Sequence, residues 1–284
     1  MAQFAIDKTL TLDDLRFHYR DWNGHGWPTL LMHGLSSTSH IWDLVAPLLS
    51  DAAQTVALDL RGHGRSDKPD CPYTFNEVGG DVVGVLDELH FEHPVLVGHS
   101  YGANVALWVA ATHPERIGGL IMIDGGLTNM GAISWQDTLQ RLTPPKLDGV
   151  PIDEFRERII QNTPQGLISP AVEASILANF EIDAENRIHR RLPVEYHLRI
   201  LRAMWEQRLT DLYDKVTCPT LILPTRRAGD EAHGLAEKEK GVAEAERLIE
   251  DVEVVWLEDT IHDAPVHRPH LVADEIKRFI KDRL

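Results

Sequence analysis

The chain has 284 residues, of which 43% are apolar and 25% are charged. This composition excludes long disorder as the main state and provides enough apolar material for a sizeable core. The net charge of −16 argues against nucleic acid or an anionic membrane as a partner, because both attract cationic surfaces. Length alone is compatible with one large α/β domain or with about two domains.

Neither the cysteines nor the N-terminus indicates export or redox chemistry. Cys71 and Cys218 lie far apart in the sequence, and neither belongs to a CxxC or Cys/His pattern. Residues 1–8 show no charged segment followed by an apolar one, so we expect no signal peptide and a cytoplasmic protein. Residues 93–114 lack Lys, Arg, Asp and Glu over the length of a membrane span, but their proline and glycines favour a buried strand, a sharp turn and a buried helix.

Predicted strands and helices alternate through the first half of the chain. Residues 4–12 and 15–22 are extended runs typical of an N-terminal hairpin. Further strands are predicted at 28–32, 54–60, 94–97 and 119–123, and helices at 38–48, 75–89 and 101–112. This alternation indicates an α/β fold with a doubly wound, mostly parallel sheet that is flanked by helices.

The pattern changes between residues 131 and 216, where no strand-like run is visible. Helical patterns there cover residues 152–162, 170–180 and 193–212. The alternation then resumes, with strands predicted at 219–223 and 252–257 and helices at 232–250 and 270–284. Because this segment is too long for an unstructured loop, we expect a helical insertion at 131–216 that divides the core domain into 1–130 and 217–284.

The most specific motif is the pentapeptide Gly98-His99-Ser100-Tyr101-Gly102. It has the form G-x-S-x-G and lies between a predicted strand and a predicted helix. In that context the turn is tight, and the glycines relieve the crowding that a sharp turn creates. The serine hydroxyl is then exposed at the carboxyl end of the sheet, where the N-terminus of the following helix favours an oxyanion.

These features together resemble the α/β-hydrolase fold family, over nearly the whole chain outside the insertion. The resemblance rests on His33-Gly34, the loop 59–66, the turn at Ser100, the strand 219–223 followed by an acid, and a histidine before the last helix. It implies a triad in the order Ser, Asp, His, with the inserted helices forming a cap over the site. It also implies a serine esterase or lactonase that needs no cofactor and no metal.

The resemblance identifies Ser100 as the nucleophile and His262 as the base. His262 follows the predicted strand 252–257 and precedes the last helix, where the family has its histidine. Asp230 fits the family's position for the acid, after the strand 219–223, although the glycine of that turn is displaced. Asp124, at the end of the preceding core strand, is the alternative that other family members use, and Glu231 is a third choice.

The resemblance also suggests the groups that bind the substrate. The backbone N–H groups of Leu35 and Tyr101 are expected to form the oxyanion hole, with His33 as a brace for the first loop. His99, Trp135 and Trp205 are candidates for the wall of a mostly apolar pocket. His262 has other histidines nearby, but their spacing is not that of a zinc enzyme, so no metal is expected.

The resulting hypothesis is a hydrolase of small, mostly apolar carboxylic esters or lactones that works through an acyl-enzyme. Its partner is a small-molecule substrate, and a monomer or homodimer is expected. Epoxide hydrolases and haloalkane dehalogenases use a carboxylate at the turn, so Ser100 does not suit their alkyl-ester intermediate. A lactonase or amidase, a carbon–carbon bond hydrolase and a small-molecule receptor remain as alternatives, because each is compatible with the same triad.

Overall fold

The computed structural model describes residues 4–163, 167–227 and 234–284. Its strands are β1 (Ile6–Leu12), β2 (Leu15–Asp21), β3 (Trp27–Met32), β4 (Ala53–Leu58), β5 (Val95–His99), β6 (Gly119–Ile123), β7 (Val150–Pro151), β8 (Phe180–Ile182), β9 (Arg187–Arg190), β10 (Thr220–Leu223), β11 (Thr225–Arg226), β12 (Val252–Val254) and β13 (Leu257–Glu258). Its helices are α1 (Phe75–Glu88), α2 (Tyr101–Thr112), α3 (Trp135–Leu142), α4 (Ile152–Asn162), α5 (Pro170–Leu177), α6 (Val194–Glu206), α7 (Thr210–Tyr213), α8 (Leu235–Leu248), α9 (Ala264–His267) and α10 (Pro269–Arg283).

The main sheet has the predicted doubly wound form. Within the described residues its strand order is β1-β2-β4-β3-β5-β6-β10-β12. The first two strands form the expected antiparallel hairpin, and β2 also pairs antiparallel with β4. All the remaining neighbours pair in parallel. The strand order reverses between β3 and β5, and β6 lies beside β5. An open α/β sheet places its ligand site at the carboxyl ends of the strands where this reversal occurs.

Helices cover both faces of this sheet, so its central strands are continuous apolar runs rather than alternating ones. One core contains buried side chains of α1, α2 and α8, such as Val82, Leu107 and Val242. The core on the opposite face contains Trp42 and Leu49, from two short 3₁₀ helices, together with buried residues of α10. This arrangement confirms the doubly wound, mostly parallel sheet flanked by helices that the alternation predicted.

Three predicted elements are interrupted. The predicted helix 193–212 is divided into α6 and α7, and the other two interruptions have identifiable reasons. Residues 38–48 form two short 3₁₀ helices, Ser39–Trp42 and Ala46–Leu49, instead of one α-helix. Pro47 lies in the first turn of the second of these, where it lacks an N–H and its ring would clash with a preceding carbonyl of a continuous helix. The predicted strand 252–257 is also divided, because its end leaves β10 and pairs with β11 as β13.

The insertion, residues 131–216, was predicted to be helical, and this is wrong in one respect. Besides α3 to α7 it contains a three-stranded antiparallel sheet in the order β7-β9-β8. Its strands have two to four residues, too few to produce a recognisable alternation in the sequence. Ile188 of this sheet is buried with Phe155 and Phe180, whose rings meet edge to face with centroids 4.7 Å apart.

The uncharged stretch 93–114 folds as β5, a sharp turn and α2, as predicted. Helix α2 has 12 residues, of which ten are buried inside the protein. Among the residues that the structure describes, no helix combines the length and the apolar character that crossing a bilayer requires.

Candidate active site

Ser100 lies at the junction of β5 and α2 with a backbone conformation that is rare for a side-chain-bearing residue. Its φ is 54° and its ψ is −120°. A Cβ at Gly98 would lie 2.3 Å from the carbonyl oxygen of Gly102, and one at Gly102 would lie 2.4 Å from the carbonyl oxygen of Met32. Both positions therefore require glycine, and the spacing of the motif follows from the close approach of β3, β5 and α2.

The side chains of Ser100, His262 and Asp124 form a continuous hydrogen-bonded chain. Ser100 Oγ lies 3.0 Å from His262 Nε2, and Asp124 Oδ2 lies 2.7 Å from His262 Nδ1. The carboxylate can only accept, so Nδ1 carries the proton of the neutral imidazole and Nε2 accepts from the serine hydroxyl. This order of acid, imidazole and hydroxyl is the arrangement that activates a serine for nucleophilic attack.

Asp124 directly follows β6 and has a φ of 45°, which turns its side chain toward the end of β5. Its carboxylate is 2% exposed. Oδ1 accepts from the Thr225 N–H at 2.9 Å and from Lys238 Nζ at 2.7 Å, which leaves Oδ2 for His262. Burial alone would raise the pKa of Asp124, but its bond to His262 and the nearby Lys238 ammonium outweigh burial and hold the pKa well below its ordinary value.

The two other candidate acids, Asp230 and Glu231, lie outside the described residues. Asp124 was the alternative that the sequence left open, and it is the acid that the structure brings to His262. Asp124 also preserves the order Ser, Asp, His. It ends the strand next to the serine's own strand, so strand adjacency was the signal that could have favoured it.

The electrostatics of His262 are dominated by the neighbouring Asp124 carboxylate. Its side chain is 55% exposed, and it follows β13 in the loop before α9. Partial desolvation of the imidazole lowers its pKa, but the hydrogen bond and negative charge of Asp124 outweigh this effect, so that the pKa of His262 lies above its ordinary value. Asp263 adds to the increase, whereas the Lys238 ammonium opposes it.

The loop that carries Leu35 lies directly beside Ser100. A Cβ at Gly34 would be 3.1 Å from Ser100 Cβ, so the loop backbone approaches closely. The buried His33 accepts from the Leu60 N–H at its Nε2 and donates from Nδ1 to the Gly34 carbonyl at 2.8 Å. Burial lowers the pKa of His33, which keeps the ring neutral as these two bonds require. His33 therefore braces the loop.

The two amides expected in the oxyanion hole are available to an oxyanion. Tyr101 is the first residue of α2, where N–H groups have no partner within the helix. Leu35 follows the braced loop. Within the described ranges, neither the Leu35 N–H nor the Tyr101 N–H donates to a protein acceptor.

His99, which was expected in the pocket wall, lies behind the base instead. Its side chain is 2% exposed, and its Nε2 donates to the backbone carbonyl of His262 at 2.9 Å. The ring centroids of His99 and His262 are 5.0 Å apart. Burial and the neighbouring His262 lower the pKa of His99 to about 4, so His99 is neutral at physiological pH. The structure thus places His99 where it anchors the His262 loop.

Trp135 and Trp205, the other two candidates for the pocket wall, pack against each other on α3 and α6. Their ring centroids are 6.0 Å apart in an edge-to-face arrangement, and the Arg202 guanidinium lies over both rings. Trp205 Nε1 donates to the Ile133 carbonyl at 2.9 Å. In the described part of the chain, neither tryptophan forms a hydrogen bond with Ser100 or His262.

A cavity of about 300 Å³ lies between the Leu35 loop, the residues on either side of His262, and α5 of the insertion. Its apolar lining includes Leu35, Ile41, Val172, Ile176, Ile261 and Val266. Hydroxyl groups are contributed by Ser36, Ser37, Thr163 and Ser175. Sequence reasoning missed these wall residues, because which face of α5 turns toward the core depends on how the insertion docks.

One group of potential metal ligands overlaps this site. Among the described residues, ligand atoms of His99, His262 and Asp263 lie within 4.8 Å of one another. Both ring nitrogens of His262 already face protein partners, and His99 Nε2 is bonded to a carbonyl. The arrangement therefore fits a hydrogen-bonded triad better than a metal centre.

Comparison with known proteins agrees with this fold. Residues 28–159 match the α/β-hydrolase fold family. The chain is 39% identical over 119 residues to 2-(acetamidomethylene)succinate hydrolase from Mesorhizobium japonicum, which covers 42% of each protein. It is also 39% identical over 107 residues to epoxide hydrolase B from Mycobacterium tuberculosis, which covers 37% of this chain and 30% of that one. These matches span less than half the length of either curated relative.

A solved structure extends the likeness to the whole chain. The crystal structure of E-2-(acetamidomethylene)succinate hydrolase superposes with a TM-score of 0.80 at 24% identity. The superposition covers 98% of this chain and 99% of that one. At this identity, the similarity shows the fold alone.

Proposed function

We propose that this chain, whose residues 28–159 match the α/β-hydrolase fold family, is a serine hydrolase that cleaves small carboxylic esters or lactones. The observation that carries this proposal is the contact of Ser100 Oγ with His262 Nε2 at 3.0 Å, with Asp124 on the opposite side of the imidazole. A hydroxyl, a neutral imidazole and a buried carboxylate in this order are the groups that acyl transfer requires.

The reaction follows from this geometry. Ser100 Oγ attacks the carbonyl carbon of the substrate while His262 Nε2 takes the hydroxyl proton. The N–H groups of Leu35 and Tyr101 stabilise the negative oxygen of the tetrahedral intermediate. His262 returns its proton to the leaving alcohol oxygen as the carbon–oxygen bond breaks. Water then attacks the acyl-serine, with His262 again accepting and returning the proton.

In this mechanism Asp124 is the acid of the triad. Its Oδ2 fixes the Nδ1–H tautomer of His262 and stabilises the imidazolium that forms when the serine proton is transferred. Since Nδ1 offers a single proton and Asp124 already accepts it, a second acid such as Asp230 would have to displace Asp124 to play this part.

The cavity beside Leu35 is the proposed site for the acyl group. Its lining combines aliphatic side chains with hydroxyl groups, and Asp263 is the charged residue among the described lining. No described Lys or Arg lines it, so a neutral acyl group fits better than a carboxylate. Because α5 of the insertion forms one wall, we assign to the insertion the role of a cap that selects the substrate.

The comparison with epoxide hydrolase B does not favour epoxide opening here. Epoxide opening through an alkyl-ester intermediate needs a carboxylate nucleophile, and Ser100 supplies a hydroxyl in its place. Cleavage of an amide or of a carbon–carbon bond is compatible with the same Ser100, His262 and Asp124 groups. The three groups therefore do not distinguish these substrates from esters, and the cavity has to select among them.

Turnover of a substrate panel tests the proposal. We expect the wild type to hydrolyse p-nitrophenyl acetate or a small lactone with many turnovers, and Ser100→Ala to lose this activity by several orders of magnitude. Ser50→Ala is the matched control, because Ser50 precedes the amino end of β4, at the edge of the sheet opposite to the site. An anilide and a vinylogous diketone in the same panel identify amidase and carbon–carbon bond activity. Binding without turnover of any panel member would instead indicate a receptor.

A further inference from the structure

Lys238 contacts the proposed triad acid although it lies on the surface helix α8. Its Nζ is 2.7 Å from Asp124 Oδ1 and donates to the Thr225 carbonyl at 2.8 Å, with Thr225 Oγ1 at 3.3 Å. An ammonium group has three hydrogens, so these acceptors can use all three. The side chain is only 22% exposed, whereas Lys240 on the same helix is exposed.

The Asp124 carboxylate is therefore held from two sides. Oδ1 receives the Lys238 ammonium and the Thr225 N–H, and Oδ2 faces His262 Nδ1. With Oδ1 tied in this way, rotation of the carboxylate about its last torsion would break two hydrogen bonds. A helix that is distant in sequence from the proposed nucleophile and acid thus fixes the orientation of the acid.

We propose that Lys238 is a positioning residue of the triad: it fixes the Asp124 carboxylate and partly neutralises its charge, so that His262 is more readily deprotonated. This inference rests on the proposed function, because it gives Lys238 a role in the same reaction. Within the described residues, Lys238 forms no hydrogen bond to the serine or to the base, and it acts through Asp124.

The electrostatic consequence depends on all the groups that face His262. The Asp124 charge and the nearby Asp263 raise the pKa of His262, whereas burial and the Lys238 ammonium lower it. His99 packs against the ring and is neutral, since its pKa is about 4. Removing the Lys238 charge leaves the carboxylate uncompensated, so the imidazolium becomes more stable and the pKa of His262 rises.

The test compares Lys238→Met with Lys238→Arg and with Lys240→Met, the exposed control on α8. The measured quantity is kcat/KM for a p-nitrophenyl ester as a function of pH. We expect the acid limb of Lys238→Met to move upward by about half a unit to one unit. One unit below the wild-type midpoint, a half-unit shift lowers kcat/KM about threefold relative to its high-pH plateau. Lys238→Arg should keep most of the wild-type profile, and Lys240→Met should match it.

A merely structural role gives a different result. If Lys238 only ties α8 to Thr225, Lys238→Met should lose thermal stability, and its acid limb should stay at the wild-type pH. That outcome overturns the inference and leaves the proposed triad intact. Circular dichroism of each variant at the assay temperature identifies any protein that has not folded. If Lys238→Met does not fold, the comparison is made with Lys238→Arg.

A readout without catalysis separates this inference from the proposed function. The pKa of His262 can be measured by NMR in histidine-labelled protein, with His262→Gln used to assign its resonance. An upward shift in Lys238→Met supports the coupling even if no ester is hydrolysed. An unchanged titration in a folded variant rejects the coupling even if the enzyme is active.

Discussion

The carboxylate of Asp124 and the imidazole of His262 lie 2.7 Å apart, although 138 positions separate them in the chain. Their meeting depends on the pairing of β6 with β10, which places Thr225 beside the end of β6. The same pairing brings the N–H of Asp124 to the Leu223 carbonyl at 3.1 Å. The acid is thus held by the sheet, and the histidine reaches it from the loop that follows β13.

Replacing this acid should affect catalysis far more than replacing its rival. We expect Asp124→Asn to lower kcat by on the order of 10⁴, because the amide disfavours the required tautomer of His262, as in other triads. Asp230→Asn should cause a much smaller loss. Steady-state kinetics of the two variants on the same ester decide the matter, and a larger loss in Asp230→Asn would contradict the proposed assignment.

The pH dependence of the wild type should report the raised pKa of His262. Only the neutral imidazole can accept the serine proton, so kcat/KM should increase with pH through a midpoint above the ordinary histidine value of about 6.5. Asp124→Asn removes the charge that raises the pKa, so its residual activity should have a lower midpoint. A wild-type midpoint well below 6.5 would contradict the assignment of His262 as the base.

Filling the cavity should change which substrates are accepted. Ile176 lies on α5 and lines the cavity, so Ile176→Trp should reduce the available volume of about 300 Å³. We expect kcat/KM for a p-nitrophenyl hexanoate to fall at least about tenfold, with a much smaller effect on the acetate. Ile182, exposed on β8, gives the control substitution Ile182→Trp. Equal losses for both acyl lengths would place the acyl group elsewhere.

Two neighbouring glycines of α1 should respond to alanine in opposite directions. A Cβ at Gly80 would have no atom within 4 Å, and alanine favours a helix over glycine by about 1 kcal/mol, so Gly80→Ala should raise the melting temperature. A Cβ at Gly79 would lie 2.1 Å from the ring of Trp108 on α2, so Gly79→Ala should lower it. Thermal unfolding of both variants checks the packing of α1 on α2.

The sequence is most informative where function depends on local geometry. The motif around Ser100 specifies a strand, a turn and a helix within a few residues, and the bounds of α2 and β6 agree with their predicted ranges. His262 could be located for a similar reason, since it follows a strand and precedes the last helix. Such features depend on neighbours in sequence, and periodicity and glycine spacing report them directly.

Features that depend on contacts between residues distant in the chain could not be predicted from the sequence. The choice between Asp124 and Asp230 depends on how β6 and β10 lie side by side, which no local pattern encodes. The side chain of His99, at the end of β5, could be expected to face either the cavity or His262. Its direction is fixed by a hydrogen bond to the loop of His262, which is distant in sequence. The strands of the insertion were missed because four residues or fewer are stabilised mainly by their partners.

The backbone at Ser100 implies a conflict between activity and thermal endurance. A side-chain-bearing residue held at φ 54° and ψ −120° costs of order 1–3 kcal/mol, and the rest of the fold has to supply that free energy. Ser100→Gly should therefore melt at a higher temperature than Ser100→Ala, which retains the Cβ, even though both lack the nucleophile. Selection for heat resistance alone would accordingly favour loss of the serine that we propose as the nucleophile.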